Sequence, residues 1–404
     1  MTNAPSNTPR GPLAGLRVLD LTRVLAGPFC TMILGDMGAD IVKVEQPVRG
    51  DDTRSWGPPF QGSESAYFLG INRNKRGITL NLKQPRGQEI LRELIKKSDV
   101  VIENFKPGTL EEWGCGREFM EKETPSVIHC SISGYGTAGP KAPLPGYDFL
   151  LQAESGLMSI TGEENGDPMK MGVAIVDLCT GLYASIAILG ALNARNSGSP
   201  GQHVEVSLYT TSIALLANVA SNVLITGKPA GRYGNGHPNI VPYKTFDCKQ
   251  SELALAVGND TQFAGFAAAV GHPEWASDPR FTRNRDRVEN RTVLEGIIES
   301  TLSSRNADEW IEVLLAAGIP CSRINTVQEA LADPQTTATG MLIDMQHATA
   351  GFFRALGIPM SFSVTPLAVR CPPTALGEHT DTILTELLGF RDDDIKKLRD
   401  AAVV

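Results

Sequence analysis

The sequence predicts an α/β protein, a large domain built on a parallel sheet followed by a smaller α+β domain. Three observations carry this prediction. Short apolar runs alternate with helical stretches from residue 17 onward, a Gly-rich segment at 227–238 interrupts that alternation, and 404 residues exceed one ordinary domain.

Residues 17–22 (RVLDLT) form the first strand candidate. Ala26-Gly27-Pro28 then opens a helical stretch that stops at Gly38, with Pro near its start and Gly past its end. A second strand follows at 41–45 (IVKVE), completing a β-α-β unit. Further strands are expected at 78–82, 100–104 and 127–133, with a helix over 87–97. Such alternation implies a Rossmann-like sheet covered by helices on both faces. The turn after the first strand, TRVLAGP, lacks the GxGxxG by which a backbone approaches a pyrophosphate. A dinucleotide-binding reading is therefore rejected. Gly and Pro residues make 134–148 a loop. The apolar run from 172 ends on a single acid, Asp177, which opens a long small-residue helix. A turn at Ser199-Pro200-Gly201, an alternating strand and a second helix running to about Thr226 follow. Beyond the boundary come strands at 243–248 and 253–257 and helices near 261–270, 292–301 and 307–317. From about Thr326 the chain is studded with Pro, and it closes with an amphipathic helix stopped by Gly389. The expected division is a disordered lead-in at 1–12, a large domain at 13–226, a small domain at 227–325 and a returning segment at 326–404.

Composition narrows the function classes. The formal charge is -8 without a long basic block, which argues against nucleic-acid binding. Apolar runs are interrupted before spanning length, so no membrane helix is expected. The start is polar and Pro-rich with one Arg, which points to the cytoplasm, or to the mitochondrial matrix for a chain whose presequence has been removed. Seven scattered Cys without a CxxC pair read as reduced thiols, and six scattered His offer no metal site.

Asp177 has two readings. A carboxylate at a helix start is a cap, and it is also an anion held in its charged form by backbone N–H groups and the helix dipole. Four polar clusters complete the inventory, at 50–56, 72–76, 103–108 and 231–239. The second carries three cations in five residues, and with the third it is expected at carboxyl ends of strands, where open sheets hold phosphate-bearing ligands. No GxSxG elbow supports a serine nucleophile. Cys179, close to Asp177, has no assignable His partner and reads as a buried thiol.

The motifs LDLTRVLAGP, LGDMGADIVKVE, GDDTRSWGPP, NRNKRGITLNLK, ENFKPG, SGYGTAGP, AIVDLCTGLYA and LGEHTD run in order along nearly the whole chain. By them the sequence resembles the class III coenzyme A transferases, and TRVLAGPF, LMSITGEENGDP and IVPYKTF are most similar to the succinyl-CoA:glutarate branch. The resemblance implies an aspartyl nucleophile at Asp177 and coenzyme contacts at Ala26, Leu80, Lys83, Asn104, Phe105, Lys106 and Tyr147. It also implies an interlocked homodimer. Glycine tolerates strained backbone and close approach, so the loop with Gly234, Asn235, Gly236 and His237 is a candidate to fold over a substrate. Acyl-CoA would be a substrate, with no tightly bound cofactor. A dicarboxylate acceptor needs a cation, for which Arg54, Arg73, Arg232, His237 and Lys244 are candidates. Two departures limit the transfer. Leu25 stands where formyl-CoA transferase has Gln, and RYGNGHPN replaces its all-glycine loop. Tyr147 stands where the related α-methylacyl-CoA racemases carry His, so the acid/base pair for moving an α-proton is missing and that reading is secondary. A non-catalytic CoA-binding module is the remaining alternative.

Overall fold

The computed structural model describes residues 11–404, so the expected lead-in lies, up to residue 10, outside the described residues. Contacts divide the chain into two compact units. One comprises residues 11–155, Gly172–Leu215 and Pro334–Val404, the other Gly156–Met171 and Leu216–Asp333. The division at Leu215–Leu216 falls ahead of the boundary expected at 227, inside what reads as one helix. That helix is two pieces, Leu208–Ala214 and Ala217–Thr226, with Ala217 at φ 43°.

The large unit is organised by six parallel strands: β1 (Arg17–Asp20), β2 (Asp40–Glu45), β3 (Lys75–Thr79), β4 (Val100–Glu103), β5 (Ile128–Ser133) and β6 (His203–Ser207). Their spatial order is β3-β2-β1-β4-β5-β6. Successive side chains of a strand alternate between faces. Leu19 faces helix α2 (Pro85–Lys96), whose Gly87, Ile90, Leu91, Leu94 and Ile95 are buried at helical spacing. On the other face, Asp20 meets Thr31 of helix α1 (Ala26–Asp36), 2.6 Å away. Helix α3 (Arg117–Glu123) adds Met120 to the core shared with α2. Helices Thr380–Leu388 and Asp392–Asp400 return to that same core through Ile383, Leu384, Ile395 and Leu398.

Helix α4 (Asp148–Glu154) precedes helix α5 (Ile175–Asn196), which packs on α1 at a close approach. A Cβ on Gly181 would lie 2.6 Å from the Ala26 carbonyl oxygen, so only glycine fits there. By length and hydropathy α5 is apolar enough to cross a membrane. The expectation that every apolar run is interrupted in time is corrected for this helix. Its Val176, Thr180, Gly181, Ala184, Ser185, Ile188, Ala191 and Leu192 are buried in the unit, so part of its apolar character belongs to a core helix.

The small unit carries a three-stranded antiparallel sheet of Tyr243–Asp247, Glu252–Ala256 and Cys321–Ser322. Phe246, Phe263, Phe266, Trp275, Leu294, Ile298 and Leu314 form its core.

Candidate active site

Strand order reverses between β1 and β4, and in open parallel sheets a crevice forms at the carboxyl ends of strands at such a reversal. The two chain exits are tied together there. Asn104 accepts a hydrogen bond from the Arg23 N–H at 2.9 Å and donates to the Arg23 carbonyl at 2.8 Å. A cleft of 270 Å³ is lined by residues 23–26, 104–107 and 142–147 together with Asp177.

Of the seven coenzyme positions implied by resemblance, Ala26, Asn104, Phe105, Lys106 and Tyr147 line this cleft. Leu80 and Lys83 do not. Leu80 is 1% exposed within the core, its N–H bonded to the Glu45 carbonyl, and Lys83 is exposed to solvent.

Asp177 is the third residue of α5. The cap position is Ala174, which has no side chain able to accept, and the helix start is satisfied by Asp148. Its Oδ1 accepts from the Val176 N–H at 2.8 Å and from the Asp177 N–H at 3.3 Å, while its Oδ2 takes the Gln152 amide at 2.6 Å. The capping role thus belongs to Asp148. Among the described residues no hydrogen bond reaches the Asp177 carboxylate.

The expectation that the helix end keeps Asp177 firmly ionised is corrected. Burial first, and the Asp148 charge second, push its carboxyl up to about 7. Asp148 accepts from the N–H groups of Val176 and Asp177 and sets its own negative charge near the acid. Tyr67, on the short helix Ala66–Ile71, reports the same field. Its phenol is pushed up to about 12 by burial and then by the charges of Asp177, Asp148 and Asp51. Trp56 meets the Tyr67 ring edge-on at 5.2 Å. The polar run 50–56 pointed to this neighbourhood through its terminal Trp, but nothing in the sequence singled out Tyr67.

The cationic cluster 72–76 lies at the amino end of β3, not at a carboxyl end. The strand can begin at Lys75 because its cations are paired, Lys75 buried and Arg76 half-buried. Arg73 makes paired bonds to Asp36 at 2.9 and 2.6 Å, Lys75 reaches Asp20 at 3.2 Å, and Arg76 pairs with Asp40. A phosphate-binding role for these residues is overturned. In the cluster 50–56, Arg54 forms a fork with Glu45 at 2.7 Å for both bonds and stacks 3.7 Å over Phe68. Arg232 donates to the carbonyls of Ser159, Glu163 and Gly166 within the small unit. Arg54, Arg73 and Arg232 are therefore committed to protein acceptors.

The loop 231–239 belongs to the small unit and is a tight turn. Gly234 has φ 56°, Gly236 donates to the Tyr233 carbonyl at 2.7 Å, and Asn235 reaches the Thr245 hydroxyl at 3.1 Å. Burial, then the Arg291 charge, holds the His237 imidazole below its usual range, so it is neutral. Lys244 shares the Glu295 carboxylate with Arg291, at 3.5 and 3.1 Å, which leaves two cations against one anion. Burial raises the Cys179 thiol, so it is no ready nucleophile.

A family model described as CoA-transferase family III matches residues 13–380. Over 393 residues the chain is 43% identical to the succinyl-CoA:glutarate CoA-transferase of Mus musculus, covering 97% of this chain and 90% of the relative. It is 42% identical to the succinate–glutarate CoA-transferase of Agrobacterium fabrum, over 96% of this chain and 98% of that one. Among solved structures, a CAIB/BAIF family protein from Brucella suis superposes with a TM-score of 0.82 at 42% identity, covering 94% of this chain and all of the other.

Proposed function

The chain belongs to CoA-transferase family III, and from that premise we propose that it moves coenzyme A from succinyl-CoA to a dicarboxylic acid of the glutarate type. Relatives bearing that activity in their names align over nearly the full length. The single observation that carries the site is Asp177 lining the switch-point cleft with an unbonded carboxylate, while Asp148 does the capping.

The chemistry follows from that carboxylate. Asp177 attacks the donor thioester carbonyl, and the C–S bond breaks to give an aspartyl anhydride and CoA thiolate. The thiolate attacks the aspartyl carbonyl, releasing the donor as its carboxylate and leaving an aspartyl-CoA thioester. The acceptor carboxylate attacks that thioester, and the thiolate it frees then attacks the acceptor's carbonyl in the new anhydride, giving acyl-CoA and restoring Asp177. Residues 23–26, 104–107 and Tyr147 hold the coenzyme. Replacement of Asp177 by Asn lowers turnover by at least about 10³-fold, and hydroxylamine treatment of acyl-loaded enzyme modifies residue 177. Full turnover by Asp177→Asn sinks the mechanism.

The functional form is a homodimer. The supporting observation is the outer face of α5, where Leu182, Tyr183 and Ile186 are exposed on successive turns.

A further inference from the structure

Val24 is a β-branched residue at φ 72°, in the left-handed region that such side chains avoid, and it lies on the wall of the coenzyme cleft. Neighbouring structure holds three consecutive residues there from three directions. The Thr22 N–H is taken by Asp20 at 2.9 Å, and its carbonyl accepts from the Lys43 ammonium at 2.9 Å. Asn104 brackets the Arg23 peptide. The Val24 N–H is taken by Asp51 Oδ1 at 3.2 Å.

Asp51 is itself immobilised. It is 1% exposed, its Oδ2 meets Lys43 at 3.0 Å, and its Oδ1 also accepts from the N–H and hydroxyl of Thr53 at 3.0 and 2.8 Å. Its own N–H is fixed on Glu45 at 2.8 Å. Lys43, also 1% exposed, links the anchors of Thr22 and Val24 in one buried ionic frame. Such a frame is costly to desolvate and a poor device for stability alone. Its geometric product is the conformation of residues 22–24, and through it the cleft wall and the start of α1.

We propose that Asp51 is a positioning residue of the transferase: paired with Lys43, it holds Val24 in the left-handed conformation that shapes the coenzyme cleft. The role rests on the reading of that cleft as the CoA site. Asp51 touches no substrate; it acts through the Val24 N–H.

The test compares Asp51→Ala, Asp51→Asn and each combined with Val24→Gly, measuring KM for the acyl-CoA donor, CoA affinity by calorimetry, and Tm. Glycine adopts φ 72° without steric cost, so it removes the need for the Asp51 tether. Asp51→Ala should raise the donor KM about tenfold or more, Asp51→Asn less, because its amide oxygen still accepts from Val24. Adding Val24→Gly should recover most of the KM loss without recovering the fall in Tm. An unchanged KM in folded Asp51→Ala, or no recovery on adding Val24→Gly, overturns the proposal. If Asp51→Ala does not fold, Asp51→Asn with and without Val24→Gly reads the same effect. Failure of the unmodified enzyme to bind CoA overturns the cleft assignment instead.

Discussion

Between its ordinary value of 3.8 and its folded value of about 7, Asp177 keeps a proton that the unfolded chain has lost. Its carboxyl therefore opposes folding increasingly as pH rises through that window, and the ionised form that the proposed mechanism uses becomes abundant only near its top. Two outcomes follow. The pH profile of kcat/KM should show an acid limb near 7, and Asp148→Asn should move it lower, because the repelling charge goes while an oxygen for the helix N–H groups remains. In thermal melts, Asp177→Asn should exceed the unmodified protein in Tm at pH 8 and match it near pH 4. A gap of equal size at both pH values would refute the raised pKa. At this scale the sequence was legible in part. Asp177 stood out because it was a lone acid at a helix start. Its partner Asp148 stands 29 residues earlier, so its taking over the cap lay beyond any local window.

Helices and strands of the large unit were mostly readable from their periods, as for α2, whose buried positions recur at helical spacing. β3 was placed late because Lys75 and Arg76 read as part of a cationic ligand-binding cluster. Their partners Asp20 and Asp40 lie on β1 and β2, and only the parallel pairing brings them together. The contact between α1 and α5 was invisible for the same reason. Gly181 is one of several small residues in α5, and a Cβ there would meet the Ala26 carbonyl. Gly181→Ala should cost about 1–3 kcal/mol by overpacking, seen as a lower denaturation midpoint. It should also lower activity beyond the loss of folded protein, because Ala26 and Asp177 are carried on the two helices being pushed apart. A fully active variant with unchanged stability would show that the helices absorb the methyl group.

For the whole molecule, the exposed apolar face of α5 predicts that Leu182→Glu with Ile186→Glu shifts the protein from dimer to monomer in light scattering; an unchanged mass would exclude that face. The two-unit organisation was legible in the Gly-rich segment and the Pro-rich return, but the assignment of Gly156–Met171 to the small unit was not, because Arg232 reaches its carbonyls from 66 to 73 residues away. The large unit is discontinuous in sequence. Leu19 and Val44 share one apolar cluster with Ile383, Leu384, Ile395 and Leu398, and the Asn81 N–H is satisfied by the Val403 carbonyl, second from the end of the chain. During synthesis the core around the first strands therefore stays incomplete until residues 383–403 have been made, while most of the small unit is made in one stretch from Leu216 to Asp333. The core begun at β1 closes only after the small unit has been made, and a nascent chain stalled before residue 380 would present the hydrophobic flank of α2 to whatever chaperone attends it.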